Sequence, residues 1–404
     1  MDVTLDGGSV LSGLVFDANG MPAFLATVFA QSETEVYSGS VRIDNSLQYR
    51  IVLPDGTYNM SVMIIGLDVS AVMPGARLTS VTFDLPEAVV VAGDTAHNLM
   101  TPALPGLFTV TGQILNFAAL PLPHQAFLTF QSQDGRVRNT ADLVFDASAT
   151  QATYRVILPP GTYQAFFSVT LPDFAIEMDP EVPFQFSNLP AGMVTVSSDQ
   201  VFDLSVPPMV TLSGLLQDNV GNALAGASVV AGPGLPLVPP ARTPAVCNGA
   251  ILDGLSFTAI GVSNLSEDNT LGQYENLIVP GDYQVWANTP LALMPPATIP
   301  PGVLPPQQEN LTFPVPFEML TITTNQTRDF LLPPLSPVVL LSGQVTDPQG
   351  QPVAEAQVTA ISEMLTATPN ALFANSGRTD PMGAYQLLLL SGQDYTVTVC
   401  PPTN

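Results

Sequence analysis

The chain has 404 residues, and a usual size of about 100–200 residues per domain allows two to four domains. Its 34 acidic and nine basic residues give a formal net charge of -25, yet only 11% of residues are charged, against about 25% in an average globular protein. Every base is an arginine. That excludes phosphate cradles, Schiff bases and isopeptide bonds built on lysine, and the basic footprint that nucleic acid requires.

With 46% hydrophobic residues the chain is expected to fold. The uncharged run 283–308 is cut repeatedly by proline, so no membrane-spanning helix is expected.

In chain order, the first β-prone run is Asp2, Val3, Thr4 and Leu5. Four copies of one unit follow. Each opens on an apolar strand that reaches a Ser/Thr-Gly pair: Ser12-Gly13, Thr111-Gly112, Ser213-Gly214 and Ser342-Gly343. In copies one, three and four a turn comes next, Asp17 to Gly20, Asp218 to Gly221 and Asp347 to Gly350. Asp there accepts local backbone hydrogens, and Gly takes a positive φ. Copy two has Asn116 to Pro121 instead, which predicts a different turn.

A second marker recurs later in each copy. It reads Tyr49-Arg-Ile-Val-Leu-Pro54-Asp-Gly56-Thr-Tyr58, then Tyr154 through Pro159 and Gly161 to Tyr163. It returns as Tyr274 through Pro280 and Gly281 to Tyr283, and as Tyr385 through Gly392 to Tyr395. Two β-prone runs around a Pro/Gly turn predict a hairpin. Proline and glycine break every candidate helix, so the expected fold class is all-β, four tandem small sandwiches joined by Pro-rich linkers in a semi-rigid rod. The expected domains are 1–100, 101–206, 207–334 with an insertion at 232–271, and 335–404.

These markers resemble the carboxypeptidase regulatory-like domain. The resemblance is fullest in copy four, from Leu341-Ser-Gly343 through Asp347, Gly350 and Pro352 to Val358, and is also good in copy three through Gly226-Ala-Ser-Val229. It implies a transthyretin-like sandwich of about seven strands, used as a non-catalytic part of secreted and surface proteins. It implies no catalytic residue.

Copies one to three each finish on a further strand, ending at Asn98-Leu99, Phe202-Asp203-Leu204 and Asp329-Phe330-Leu331. Copy four has no such run after Val397. Asp2 to Leu5 has the look of that strand, placed before copy one. A sandwich short of a strand exposes unpaired backbone and apolar core. One explanation is exchange: Asp2, Val3, Thr4 and Leu5 of one molecule pair with an edge formed by Val397, Thr398, Val399 and Cys400 of the next, giving a self-associating filament. Others are that these residues belong to a longer chain, that copy four is a shorter variant, or that residues 2–11 are simply copy one's first strand.

Cys247 and Cys400 are a candidate disulfide. A bond to another chain and free thiols are the alternatives. His97 and His124 lack ligand patterns, and no nucleophilic triad is assembled, so no metal, cofactor or catalytic residue is expected. The acids Asp173, Glu177, Asp179 and Glu181, and the pair Glu267 and Asp268, read as solvated loops rather than calcium sites. Asp203 and Asp329, near the joins, are weak candidates for calcium between domains. Trp286 reads as core, and exposed it would stack on a sugar. The functional expectation is a non-enzymatic structural protein, secreted or displayed at the cell surface. Its alternative is an accessory module that binds a glycan or a surface protein.

Overall fold

The computed structural model describes residues 3–4, 8–23, 25–32, 38–43, 47–69, 73, 77–116, 125–145, 151–170, 184–224, 226–233, 258–262, 271–290, 312–334, 336–362 and 374–400. They form strands and turns only, in an all-β sandwich architecture, and no helix long and apolar enough to cross a membrane occurs among them. The first strand is β1 (Val3–Thr4). Copy one holds β2 (Ser9–Phe16), β3 (Ala26–Ser32), β4 (Ser38–Arg42), β5 (Gln48–Leu53), β6 (Gly56–Asp68), β7 (Arg77–Asp84), β8 (Val89–Val91), β9 (Thr95–Ala96) and β10 (Leu99–Met100). Copy two holds β11 (Phe108–Leu115), β12 (Gln125–Ser132), β13 (Val137–Thr140), β14 (Asp142–Phe145), β15 (Ala152–Leu158), β16 (Gly161–Thr170), β17 (Phe184–Val196), β18 (Gln200–Val201) and β19 (Leu204–Ser205).

Copy three holds β20 (Val210–Gln217), β21 (Ser228–Pro233), β22 (Thr258–Val262), β23 (Gln273–Ile278), β24 (Gly281–Pro290), β25 (Thr312–Ile322), β26 (Gln326–Thr327) and β27 (Phe330–Leu331). Copy four holds β28 (Val338–Thr346), β29 (Gln357–Ser362), β30 (Ala374–Arg378), β31 (Ala384–Leu390) and β32 (Tyr395–Cys400).

Each copy folds into two facing sheets. In copy one, β5 and the late strands β9 and β10 flank β2, while β4, β3, β6 and β7 form the other layer. The two tyrosine-bearing runs are not a paired hairpin, as the sequence suggested. In every copy the first joins one sheet and the second joins the other, as β5 and β6 do. The Pro/Gly turn is therefore a corner between layers. The second tyrosine staples it: Tyr58, Tyr163 and Tyr283 each donate a hydroxyl hydrogen to a carbonyl four residues back, on Pro54, Pro159 and Val279. The Asp17, Asp218 and Asp347 turns form as expected, each carboxylate accepting two backbone N–H groups.

Sheet pairing accompanies the Pro-rich joins between copies. Copies one to three share a single 13-stranded sheet. Strand β7 of copy one pairs with β13 of copy two, and β17 of copy two pairs with β22 of copy three. Buried Asn139 secures the first joint. Its Oδ1 accepts the Thr79 N–H at 3.0 Å, and its amide donates to the Ile157 carbonyl at 2.8 Å. Strand β22 lies within the region expected as an insertion loop, so part of that region is structural. One apolar core runs through copies two and three, a second fills copy one, and a third fills copy four.

Among the described residues the shared sheet ends at β25. Pro314 and Pro316 lie in that strand and pair with Asn288 and Trp286 of β24. Proline has no N–H for a ladder, so both nitrogens must face the outer side of β25. That edge is short of two donors, which guards it against a further strand.

Candidate assembly site

The last strand of each of copies one to three is split in two around a two-residue arch. In copy one β9 lies parallel on Leu11 and Ser12, and β10 on Val15 and Phe16, with His97 and Asn98 arching between them. Phe202 and Asp203 form the arch of copy two, and Arg328 and Asp329 that of copy three.

Each arch passes directly over the glycine of the opening strand. A Cβ on Gly13, Gly112 or Gly214 would collide with the carbonyl of His97, Phe202 or Arg328 respectively. The Ser/Thr-Gly marker thus serves close backbone approach. The same carbonyls accept a hydroxyl hydrogen from the first tyrosine of each corner: Tyr49 to His97 at 2.7 Å, Tyr154 to Phe202, and Tyr274 to Arg328 at 2.6 Å. These tyrosines sit directly opposite the glycines in the pairs Gly13–Tyr49, Gly112–Tyr154 and Gly214–Tyr274. Burial pushes all three hydroxyls well above their ordinary pKa, helped at Tyr154 by the Asp203 charge and at Tyr274 by that of Asp329.

Carboxylate or carboxamide oxygens close the clasp. Asn98, Asp203 and Asp329 accept the N–H of the residue after the glycine, Leu14, Gln113 and Leu215, at 2.9, 2.8 and 2.9 Å. Four residues earlier, Asp94, Asp199 and Asn325 accept the N–H of Val10, Thr109 and Thr211. Asp203 and Asp329, weak calcium candidates by sequence, are here hydrogen-bonded to the backbone of their own copy. No cluster of three metal-ligating side chains occurs among the described residues.

Copy four receives its last strand from the far end of the chain. Val3 of β1 lies parallel opposite Val345, and Thr4 opposite Thr346. Leu99 lies opposite Val15, Leu204 opposite Ile114 and Phe330 opposite Leu216. All four acceptors stand two residues beyond the marker glycine, so the register is the same in every copy.

The sequence suggested Val397, Thr398, Val399 and Cys400 as the receiving edge. In the structure those residues lie in β32, paired with β29, and β1 lies on β28 in the other sheet. Asp2 and Leu5 lie outside the described residues, as do Cys247, His124, the acids at 173–181 and those at 267–268. Cys400 is disulfide-bonded and buried. Trp286 is 8% exposed and presents no open face for a sugar. His97 contributes its carbonyl, not its imidazole. Sequence reasoning overlooked the first clasp residues. The signal was present as an Asp/Asn pair four apart, at 94 and 98, 199 and 203, and 325 and 329.

No protein-family model matches the chain, and no curated protein matches it. Among solved structures, a leucine-rich repeat protein from Bacteroides thetaiotaomicron is similar at 15% identity over 50% of this chain and 26% of its own, with a TM-score of 0.20. The Bacillus anthracis TIE protein is similar at 14% over 81% of this chain and 51% of its own, TM-score 0.17. A streptococcal ancillary pilin is similar at 11% over 72% and 95%, TM-score 0.19. The chain spans about a quarter and about half of the first two. Scores this low define no shared arrangement of the whole chain, and no functional argument rests on them.

Proposed function

We propose that the chain is a non-enzymatic structural protein of the cell surface or extracellular space, a series of β-sandwiches that assembles head-to-tail by donating its N-terminal strand. The observation that carries this reading is the register of β1, which fills in copy four the place that β10, β19 and β27 fill in the other copies. In the structure this contact closes within one chain. Made between chains, it is a heterologous contact that propagates. The disulfide at Cys400 supports an oxidising compartment. Cys247 is the partner in this reading, which ties copy three to the last strand of copy four.

Light scattering and negative-stain microscopy of the full chain, with and without residues 1–8, test it. The full chain should form oligomers that lengthen with concentration, and the truncated chain should stay monomeric. Filaments of unchanged length from the truncated chain would overturn the reading.

A further inference from the structure

The series of sheet joints stops after copy three. We propose that Pro314, helped by Pro316, is a sheet terminator that holds copy four apart from the sheet shared by copies one to three. Strands β7, β17 and β25 occupy the same place in successive copies, each antiparallel to the strand that follows the corner. Strand β7 pairs with β13 of the next copy, and β17 with β22. Their counterpart in copy four is β30, which lies on β29 as they lie on β12 and β21. Among the described residues β25 and β30 nevertheless belong to different sheets.

Linker length is no obstacle. The join 332–337 is longer than 206–209 and shorter than 101–107, and both of those span a formed joint. The receiving strand also keeps its anchor. Asn375 is buried, lies opposite Ala360 as Asn139 lies opposite Phe130, and donates to a carbonyl of the facing sheet as Asn139 does.

What differs is the strand that should be received. Thr82, opposite Met63, sends its N–H across the first joint to the Arg136 carbonyl at 2.7 Å. Met63 stands five residues after Tyr58, and Asn288 five residues after Tyr283. Asn288 pairs with Pro314, which therefore takes the place of Thr82 and has no N–H to send. At the second joint Ser187, not a proline, pairs across to Thr258. Two residues beyond Pro314, Pro316 removes the next donor on the same side. Copies two and three share one core, whereas copy four keeps a core of its own. The terminator thus leaves copy four to open and close as a separate unit.

Hydrogen exchange on the full chain tests this in both directions. The Thr140 N–H donates across the first joint to the Thr79 hydroxyl at 3.0 Å, and Ser376 takes the place of Thr140 on β30. Thr82→Pro should open that joint and speed exchange at Thr140 by about tenfold or more, the scale of one hydrogen bond. The Leu14 amide, held by Asn98 within copy one, should keep its protection. Pro314→Thr combined with Pro316→Thr should slow exchange at Ser376 by about tenfold and move the urea transition of copy four toward that of copies one to three.

Unchanged exchange at Thr140 in Thr82→Pro would overturn the proposal, because proline in that place would then not end a joint. So would a folded double variant whose Ser376 exchange and copy-four transition match those of the unaltered chain. If the double variant does not fold, Thr82→Pro decides alone. Neither readout depends on assembly, so a failure of strand donation does not decide the terminator.

Discussion

Copies one to three and copy four share a strand order but close their open edges by different means. In the first three, a split last strand returns over the opening strand of the same copy, and β7 and β17 each fasten onto the following copy through β13 and β22. Copy four has two three-stranded sheets, one of them completed by β1, and its β30 pairs only with β29 among the described residues. Yet Asn375 in β30 donates to the Leu388 carbonyl just as Asn139 donates to that of Ile157. Copy four therefore keeps an asparagine like that of the joint and the Gly343–Tyr385 pairing, while β1 pairs with its opening strand. The acceptor half of the clasp belongs to the opening strand and the tyrosine corner, so the donor need not be contiguous with the copy it completes.

The largest effect that sharpens this contrast comes from the marker glycines. Gly112→Ala or Gly214→Ala drives a Cβ into backbone, which cannot move as a side-chain tip can. A loss of about 3 kcal/mol or more is expected, read from urea unfolding of the full chain. A loss below about 1 kcal/mol would mean that the arch is loose. Tyr274→Phe, which removes the hydroxyl that donates to the Arg328 carbonyl, should cost about 1–2 kcal/mol.

At the joint, Asn139→Ala should cost about 1–3 kcal/mol by leaving the Thr79 N–H without its acceptor. Arg136→Ala removes exposed ion pairs, one with Asp84 across the same joint and a longer one with Asp134. Its expected cost is below about 1 kcal/mol and falls with added salt. A larger effect at Arg136 than at Asn139 would reverse the account of what holds copies one and two together.

Alkaline pH offers a gentler probe. Folding raises the pKa of Tyr49, Tyr154 and Tyr274 above the ordinary 10.0 because burial penalises the phenolate. The stability linked to those protons is whole below pH 10, where the unfolded chain also holds them. It declines as pH rises further, when the unfolded tyrosines ionise and the folded ones do not. Denaturant midpoints should therefore be level between about pH 7 and 9 and fall above 10. Midpoints that stay level through pH 11 would show these hydroxyls to be accessible.

Much of this was legible in the residues. Strand alternation, Pro/Gly punctuation and the spaced Gly and Tyr markers report local chemistry that every copy repeats, and Asp2 to Leu5 announced itself by likeness to Asp203-Leu204 and Asp329-Phe330. The corner was misread as a hairpin because a Pro/Gly turn looks the same from sequence whether its strands pair or part. The pairing of β1 with β28 was hidden for a related reason: β28 and β32 are both apolar strands, and nothing local marks which one β1 joins.

By itself, the order of residues determined an all-strand chain of four related units, the positions needing glycine, and the kinship of the first residues with the closing strand. Only the tertiary structure decided that three units share one sheet, that Gly13, Gly112 and Gly214 lie beneath an arching carbonyl, and that β1 pairs with β28. Strand propensity and turn chemistry act over a few neighbouring residues. Edge pairing joins segments hundreds of positions apart, and its partner is set by which backbone groups the rest of the fold leaves to be satisfied.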